Sequence, residues 1–304
     1  MTKVLIAGGS GQVGQAIIKE ANLRGLECHV LTRSKDQVDV DLTRYFCWDP
    51  ENGTIDHSCF EGVDLLINLA GKSIDAQWNE KNKSELVSSR VKSVKCLADA
   101  MKNNPHVIRT VINASATGIY QSSDEVQDEQ GSFSASFLGG MAQVWEKSTS
   151  LYPSSVKVVC VRFGLVLGSE AKLLDKIKPA AKLGVCTVFG SGEQWVSWIH
   201  EEDLARAVLH IGEKSNPESV YNLVAPSPLK ARQFYALIHS VFTPPKLFLP
   251  VPTVMLKIIF KEKSELFLSS QNISSALLAK DFEFKYPSLE KAVKSLSAQL
   301  KIKK

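Results

Sequence analysis

Apolar positions fall along this chain in short unbroken runs set between stretches of helical spacing. Val4 to Ala7, Cys28 to Leu31, Val63 to Gly71 (VDLLINLAG), Val107 to Ala116 and Val156 to Val161 are such runs. They are too continuous for strands with one wet face and too short for helices, so they predict strands buried on both faces. A weaker strand, Tyr45 to Trp48, closes on Asp49-Pro50. Helices are predicted between the runs. Val13, Ala16, Ile17, Ala21 and Leu23 offer one face after the first run, and Gly25 stops that helix. Lys81 to Met101 repeats apolar residues at helical spacing, and Phe133 to Ser150 reads as a third helix. Strand alternating with helix predicts an α/β fold, a doubly wound parallel sheet of the Rossmann type.

Past Gly168 the rhythm changes. Lys172 to Leu183 is helical, a Gly- and Trp-rich loop follows, and Leu204 to Gly212 is a helix for which Asp203 is placed as N-cap. The segments VYNLVAP and PLKARQFYALIHSVF read as a strand and a helix, before a Pro-rich stretch and the last helices. The expected division is a dinucleotide-binding domain over 1–168, with later sheet elements from about 196–225. Residues 169–195 and 226–304 would form a smaller C-terminal substrate lobe, with ligand between the two.

The first strand runs into Gly8, Gly9, Ser10, Gly11, Gln12, Val13 and Gly14, and a helix follows. A G-x-G-x-x-G in that context predicts a pyrophosphate cradle. Gly9 would allow the tight turn, Gly11 the approach of the phosphates, and Gly14 close packing of helix on strand. The anion would then sit on free N–H groups at the positive end of the helix dipole.

The end of the second strand selects the dinucleotide. A carboxylate roughly twenty residues past the turn holds the ribose 2′-OH of NAD. Here Thr32-Arg33-Ser34-Lys35 stands there, with no carboxylate before Asp36. A guanidinium matches a 2′-phosphate through two hydrogen bonds, so the expected cofactor is NADP(H); the alternative is a solvated surface arginine. Asp49 either accepts from the adenine amino group or forms a turn before proline. Asn68, Leu69, Ala70 and Gly71 end a strand whose carboxyl end faces the cofactor.

Composition narrows the classes. The 304 residues carry a net charge of +4, too mild and dispersed to call for nucleic acid or membrane. The basic end Lys301-Ile302-Lys303-Lys304 reads as a solvated tail. Six cysteines without a C-x-x-C suit buried reduced thiols in a cytoplasmic setting. Six scattered histidines show no metal-ligand spacing. The first strand begins at residue 3, leaving no room for a leader, and no apolar run is long enough to span a bilayer.

The stretches GGSGQVG, LLINLAG, SSRV (88–91), NASATGIY, FLGGMAQVWEK, RFGLVLG, GSGEQWVSWIHEEDL, YNLVAP and LSSQNISSALL with FEFKYPSLEKAV run in order along nearly the whole chain. Together they resemble the extended or atypical short-chain dehydrogenases/reductases, and within them the epimerase family protein branch of the 39U type. Gln12 departs from the phenylalanine usual in that turn. The resemblance implies that Arg90 and Ser115 join the cofactor site. It also implies a serine at the end of the fifth strand with Tyr and Lys four apart on the next helix, the lysine lowering the tyrosine pKa for proton transfer. Ser115 matches the serine. Aligned through Trp145-Glu146, Leu138 and Ala142 fall where the tyrosine and lysine belong, so slow turnover of ordinary carbonyls is expected.

Three side chains stand as substitutes: Ser115, Tyr120 and His200. Ser115 meets a substrate carbonyl or satisfies backbone at a strand end. His200 lies near cofactor or packs beneath the helix that Asp203 caps. Trp195 and Trp198 stack on a flat ligand or pack a core, and Arg162 reaches the cleft or pairs with a buried acid. Two functions remain open: an NADP(H)-dependent oxidoreductase or epimerase-like enzyme, and a non-catalytic NADP(H)-binding sensor.

Overall fold

The structure, a computed structural model, describes residues 1–34 and 36–302, without the side chains of 301 and 302. Lys35 of the expected cofactor stretch and the end of the basic tail lie outside the described residues.

From the N-terminus the elements are β1 (Lys3–Ala7), α1 (Gln12–Leu23), β2 (Glu27–Thr32), β3 (Thr43–Asp49), β4 (Thr54–Ile55), β5 (Leu65–Asn68), α2 (Glu80–Asn103) and β6 (Thr110–Ala116). Then come β7 (Ser123–Gln127), α3 (Phe137–Ser148), β8 (Lys157–Phe163), β9 (Leu165–Leu167), α4 (Lys172–Lys182), β10 (Val185–Phe189), β11 (Trp195–Val196), β12 (Trp198–His200), α5 (Glu201–Glu213) and β13 (Val220–Leu223). The chain ends through β14 (Leu229–Lys230), α6 (Ala231–His239), β15 (Leu247–Val251), α7 (Thr253–Phe260), α8 (Glu265–Leu268), β16 (Gln271–Ile273) and α9 (Leu289–Ile302).

Two compact units result. The first comprises Met1–Ile119, Ala135–Arg162 and Leu204–Tyr221. Its centre is an eight-stranded sheet in the order β13-β8-β6-β5-β1-β2-β3-β4. The β1–β2, β1–β5, β2–β3 and β5–β6 pairs are parallel, and β4 closes the edge antiparallel to β3. Val4 to Ala7 and Leu65 to Asn68 are buried, as runs with both faces covered must be. The order reverses at β1, which lies between β2 and β5, and that reversal opens a crevice at the strands' carboxyl ends.

The helices differ from expectation at their edges. On α1, Leu23 is 75% exposed, and the buried face is Gly14, Ile17, Ile18 and Ala21. The α3 helix starts at Phe137 because Ser136 caps it, its hydroxyl accepting from Gly139 N–H at 3.2 Å. Phe133 instead bridges Tyr120. Asp203 is not an N-cap. The α5 helix begins at Glu201, and the Asp203 carboxylate accepts the backbone N–H groups of Lys285 (2.8 Å) and Tyr286 (2.7 Å).

The second unit comprises Tyr120–Ser134, Phe163–Asp203 and Asn222–Lys304. It contains four two-stranded pairs: β10–β15, β11–β14, β12–β9 and β16–β7. Leu174, Cys186, Trp198, Phe234, Ile238 and Leu296 sit in its core.

Candidate functional site

The turn after β1 is shaped by three glycines with different tasks. Gly8 takes φ +88°, a conformation costly for any residue with a Cβ. The tight turn is therefore made at Gly8, not at Gly9 as the spacing suggested. A Cβ on Gly9 would lie 2.5 Å from Val30 Cγ1, so Gly9 lets the turn press against β2. A Cβ on Gly14 would lie 2.4 Å from the Gly8 carbonyl oxygen and 2.6 Å from Gly9 Cα, which makes Gly14 the contact between helix and turn.

Gly11 is different. Its Cβ would meet one described atom within 4 Å, the Gly8 carbonyl oxygen at 3.6 Å. Gly11 is also the N-cap of α1, with no side-chain cap and no acid in the first turn. First-turn N–H groups have no intrahelical acceptor. Gln15 Nε2 donates to the Gly9 carbonyl at 2.7 Å and braces the loop. Backbone donors at a positive helix end, with room in front of Gly11, fit a pyrophosphate.

Beside this turn a cavity of about 160 Å³ is lined by Ser10, Gln15, Val30, Leu31, Thr32, Gln37 and Tyr45. Arg33 follows Thr32 and is exposed. Asp49 ends β3, its carboxylate accepting from Asn52 Nδ2 at 2.7 Å and from Glu51 N–H at 3.0 Å. The Asn52 bond, the two backbone N–H bonds and the Arg33 charge hold this carboxyl below its ordinary pKa. Asp49 thus performs the turn role.

The end of β5 meets the turn directly. A Cβ on Gly8 would fall 3.0 Å from the Leu69 carbonyl carbon and 3.1 Å from Ala70 N. Asn68, fully buried, accepts from Ala70 N–H at 3.2 Å and donates to Asn113 Oδ1 at 2.9 Å, which fixes the bend into Gly71. Arg90 lies behind Gly71. Its Nη1 donates to the carbonyls of Leu86 (2.8 Å) and Lys72 (3.2 Å), and its guanidinium lies 4.9 Å from the Trp145 ring centroid. Its Nε is buried without a partner, and burial lowers the guanidinium pKa to about 10. Such an unused donor fits a site that takes an anion or carbonyl.

At the carboxyl end of β6, Ser115 Oγ donates to Glu146 Oε1 at 2.6 Å. Arg162, on β8, donates from Nε to Oε1 and from Nη2 to Oε2 of Glu146, both at 2.8 Å. The two arginine bonds are a bidentate charge-assisted pair, and both side chains are largely buried. Of the two roles open to Arg162, pairing with a buried acid is the one the structure adopts. Glu146 was missed by sequence reasoning. The α3 helix has no tyrosine; Leu138 is half-buried and Ala142 buried.

The other two candidate acids, Tyr120 and His200, are buried in contacts of their own. Tyr120 is buried in the second unit, and its hydroxyl donates to Asn222 Oδ1 at 2.7 Å. Asn222 Nδ2 donates to the Ser274 carbonyl, so Tyr120 serves a structural network. His200, 1% exposed, stacks on Tyr286 at 3.9 Å between centroids. Its Nδ1 accepts Glu202 N–H, and burial lowers its pKa to about 4, so it is neutral at physiological pH. Trp198 is core, its Nε1 donating to the Ser227 carbonyl, and Lys230 covers the Trp195 ring. No group of three potential metal ligands occurs among the described residues, and all six cysteines are free.

A mostly parallel sheet with a glycine turn at its switch point defines a dinucleotide-binding α/β protein. The chain belongs to the NAD dependent epimerase/dehydratase family, which matches residues 4–223; a domain of unknown function (DUF1731) matches residues 251–296. Epimerase family protein YfhF of Bacillus subtilis is 31% identical over 302 residues, covering 98% of this chain and 99% of that protein. The crystal structure of human epimerase family protein SDR39U1 (isoform 2) with NADPH superposes with a TM-score of 0.86 at 25% identity, covering 98% and 99% of the two chains. UDP-N-acetylglucosamine 4-epimerase from Bacillus cereus, at 18% identity and a TM-score of 0.76, covering 99% and 97%, shares the fold.

Proposed function

We propose that the protein is an NADP(H)-dependent oxidoreductase or epimerase-like enzyme whose proton handling does not use a Tyr-x-x-x-Lys pair. The observation that carries this reading is the glycine turn with Arg33 following a cavity at the end of β2, where no carboxylate stands. An acid there would repel a 2′-phosphate, and a guanidinium pairs with it. SDR39U1, similar over the whole chain, was crystallised with NADPH. Gly8, Gly9, Ser10, Gly11, Gln12, Val13 and Gly14 would cradle the pyrophosphate, and Thr32 and Arg33 would hold the adenosine end. Leu69, Ala70 and Gly71 would line the dinucleotide, with Arg90 behind them. Bound NADP(H) would supply hydride exchange.

Ser115, Glu146 and Arg162 are the polar groups offered for the rest of the chemistry. Arg162 holds the Glu146 carboxylate through two hydrogen bonds, and Ser115 Oγ donates its proton to the same carboxylate. Ser115 Oγ is then left as an acceptor, suited to a hydroxyl or amide donor on the ligand. The free, mostly buried cysteines suit a reducing, cytoplasmic setting.

The test is calorimetric titration of NADPH and NADH into wild type and Arg33→Ala. A charge-assisted contact is worth roughly 1.5–3 kcal/mol, so the substitution should weaken NADPH about 10- to 100-fold and leave NADH unchanged. Equal wild-type affinity for the two cofactors would sink the assignment.

A further inference from the structure

The second unit carries an apolar face outside its own core. β15 pairs with β10 on one edge only, in the register Val185↔Leu247 to Phe189↔Val251. Leu247 and Leu249 on that strand are more than half exposed. Pro252 then leads into α7. Of the apolar side chains on α7 only Leu256 is buried, while Val254, Met255, Ile258 and Ile259 are 68%, 50%, 71% and 61% exposed. A monomer's scattered surface leucine needs no explanation, but two consecutive elements with this many exposed apolar side chains mark an interaction site.

Its charges narrow the occupant. Lys246 precedes β15, Lys257 lies on α7, and Lys261 ends α7 with φ +49°. All three are exposed, and none has a carboxylate partner among the described residues. The nearby acids Glu262 and Glu265 are engaged in contacts of their own. The two elements therefore combine exposed apolar side chains with exposed lysines.

That pattern disfavours a second copy of this chain. A two-fold interface sets the same patch against itself and would bring the unpaired lysines toward one another. Pro250, within β15, can offer no N–H to a strand added on the open edge. An anionic lipid surface suits the same features. Short apolar side chains enter the headgroup–acyl boundary, and lysines lay their stems along them with ammonium groups among the phosphates. With eight residues α7 is far too short to cross a bilayer, and no helix among the described residues is long and apolar enough to do so.

We infer that the β15–α7 face docks the protein reversibly on an anionic phospholipid bilayer, with α7 lying in the interface plane. The inference does not depend on the cofactor reading. It is tested with the full chain by co-sedimentation with large vesicles of phosphatidylcholine, alone or mixed with phosphatidylglycerol, beside light scattering for oligomeric state.

Binding is expected to the mixed vesicles, weakened by salt and absent with phosphatidylcholine alone. Ile258→Ser with Ile259→Ser should abolish it, and Lys257→Gln should weaken it by about fivefold, as one lysine near an anionic surface does. Both changes are at exposed positions, so unchanged circular dichroism and melting temperature exclude misfolding as the cause. No binding to the mixed vesicles, or binding that the double variant retains, overturns the proposal. So does a dimer that the double variant dissociates, which would assign the face to a second copy.

Discussion

At the carboxyl end of β1 the first unit offers backbone, and at the carboxyl end of β6 it offers side chains. The glycine turn presents N–H groups at a helix start, and its three close contacts leave room for nothing larger than hydrogen at Gly9 and Gly14. The Ser115 cluster draws a hydroxyl, a carboxylate and a guanidinium from β6, α3 and β8 and satisfies them against one another. The turn holds its geometry through atoms every residue possesses, so it is intolerant of size. The cluster holds its geometry through charge, so it is intolerant of lost partners. Substitutions at the two sites separate these dependencies.

The largest effect belongs to Gly14→Val. Its Cβ would lie 2.4 and 2.6 Å from backbone atoms of Gly8 and Gly9, which cannot move as a flexible side chain would. Overpacking of this kind costs typically 1–3 kcal/mol and often more against backbone, so urea unfolding should show a loss near or above the top of that range and NADPH binding should vanish. Gly11→Ala, with open space before it, should keep wild-type stability and lose only cofactor affinity. If Gly11→Ala destabilises the chain as much as Gly14→Val, the division of labour in the turn is wrong.

Glu146→Leu comes next. It removes the carboxylate that takes two charge-assisted bonds from the buried Arg162 guanidinium, a loss of about 1.5–3 kcal/mol. Arg162→Met combined with Glu146→Leu should cost less than the sum of the two single changes, since both remove the same pair of bonds. Strict additivity of the two single changes would show that the pair does not act as a unit.

These two sites also differ in how far they could be read from the chain. The turn is local: strand, glycines and helix lie within 21 residues in sequence, Lys3 to Leu23, and the spacing alone located the cradle. It misplaced the tight turn by one residue because φ +88° at Gly8 and the Val30 contact at Gly9 depend on how β2 packs. The cluster is non-local. Ser115, Glu146 and Arg162 are brought together only by the order β8-β6 and by α3 packing. One signal for it was present: Arg162 is a charge inside the apolar run VVCVRF, and a buried charge needs a partner. Gln37 and Tyr45, which line the cavity, carried no signal, since their positions depend on the loop between β2 and β3. Tyr120 and His200 drew attention for their chemistry. Their partners Asn222 and Tyr286 lie 102 and 86 positions away, beyond any spacing rule.

His200 provides a pH test outside both sites. Burial lowers its pKa to about 4 from an ordinary 6.5. Below pH 6.5 the unfolded chain takes up a proton that the folded chain refuses until about pH 4, so stability falls with pH across that window and the loss levels off beneath it. The full loss is roughly 3 kcal/mol. His106 and His239 are lowered by burial as well, so the informative quantity is a difference between proteins. His200→Asn, whose side-chain oxygen can still accept from Glu202 N–H, should flatten the slope of unfolding free energy between pH 4 and 6.5. An unchanged slope would mean that His200 is protonated in the folded state.

The smallest effect, and the one that bears most on function, is Ser115→Ala. Glu146 loses one of its three hydrogen bonds and keeps the two from Arg162. A hydrogen bond to a charged group contributes about 1.5–3 kcal/mol, and with Glu146 already paired the loss should fall at the lower end. The melting temperature should therefore drop modestly while NADPH affinity stays near wild type. Turnover separates the two ways the cluster can be used. Positioned acid or base groups contribute typically 10²- to 10⁴-fold. If Ser115 and Glu146 move the proton, Ser115→Ala removes NADPH oxidation across a panel of carbonyl compounds and sugar nucleotides, and Ser115→Cys restores part of it. If the cluster only ties α3 to the sheet, the same variant lowers stability and leaves the residual rate untouched. Brisk wild-type turnover of simple carbonyls that survives Ser115→Ala would place the chemistry elsewhere and remove this cluster from the mechanism.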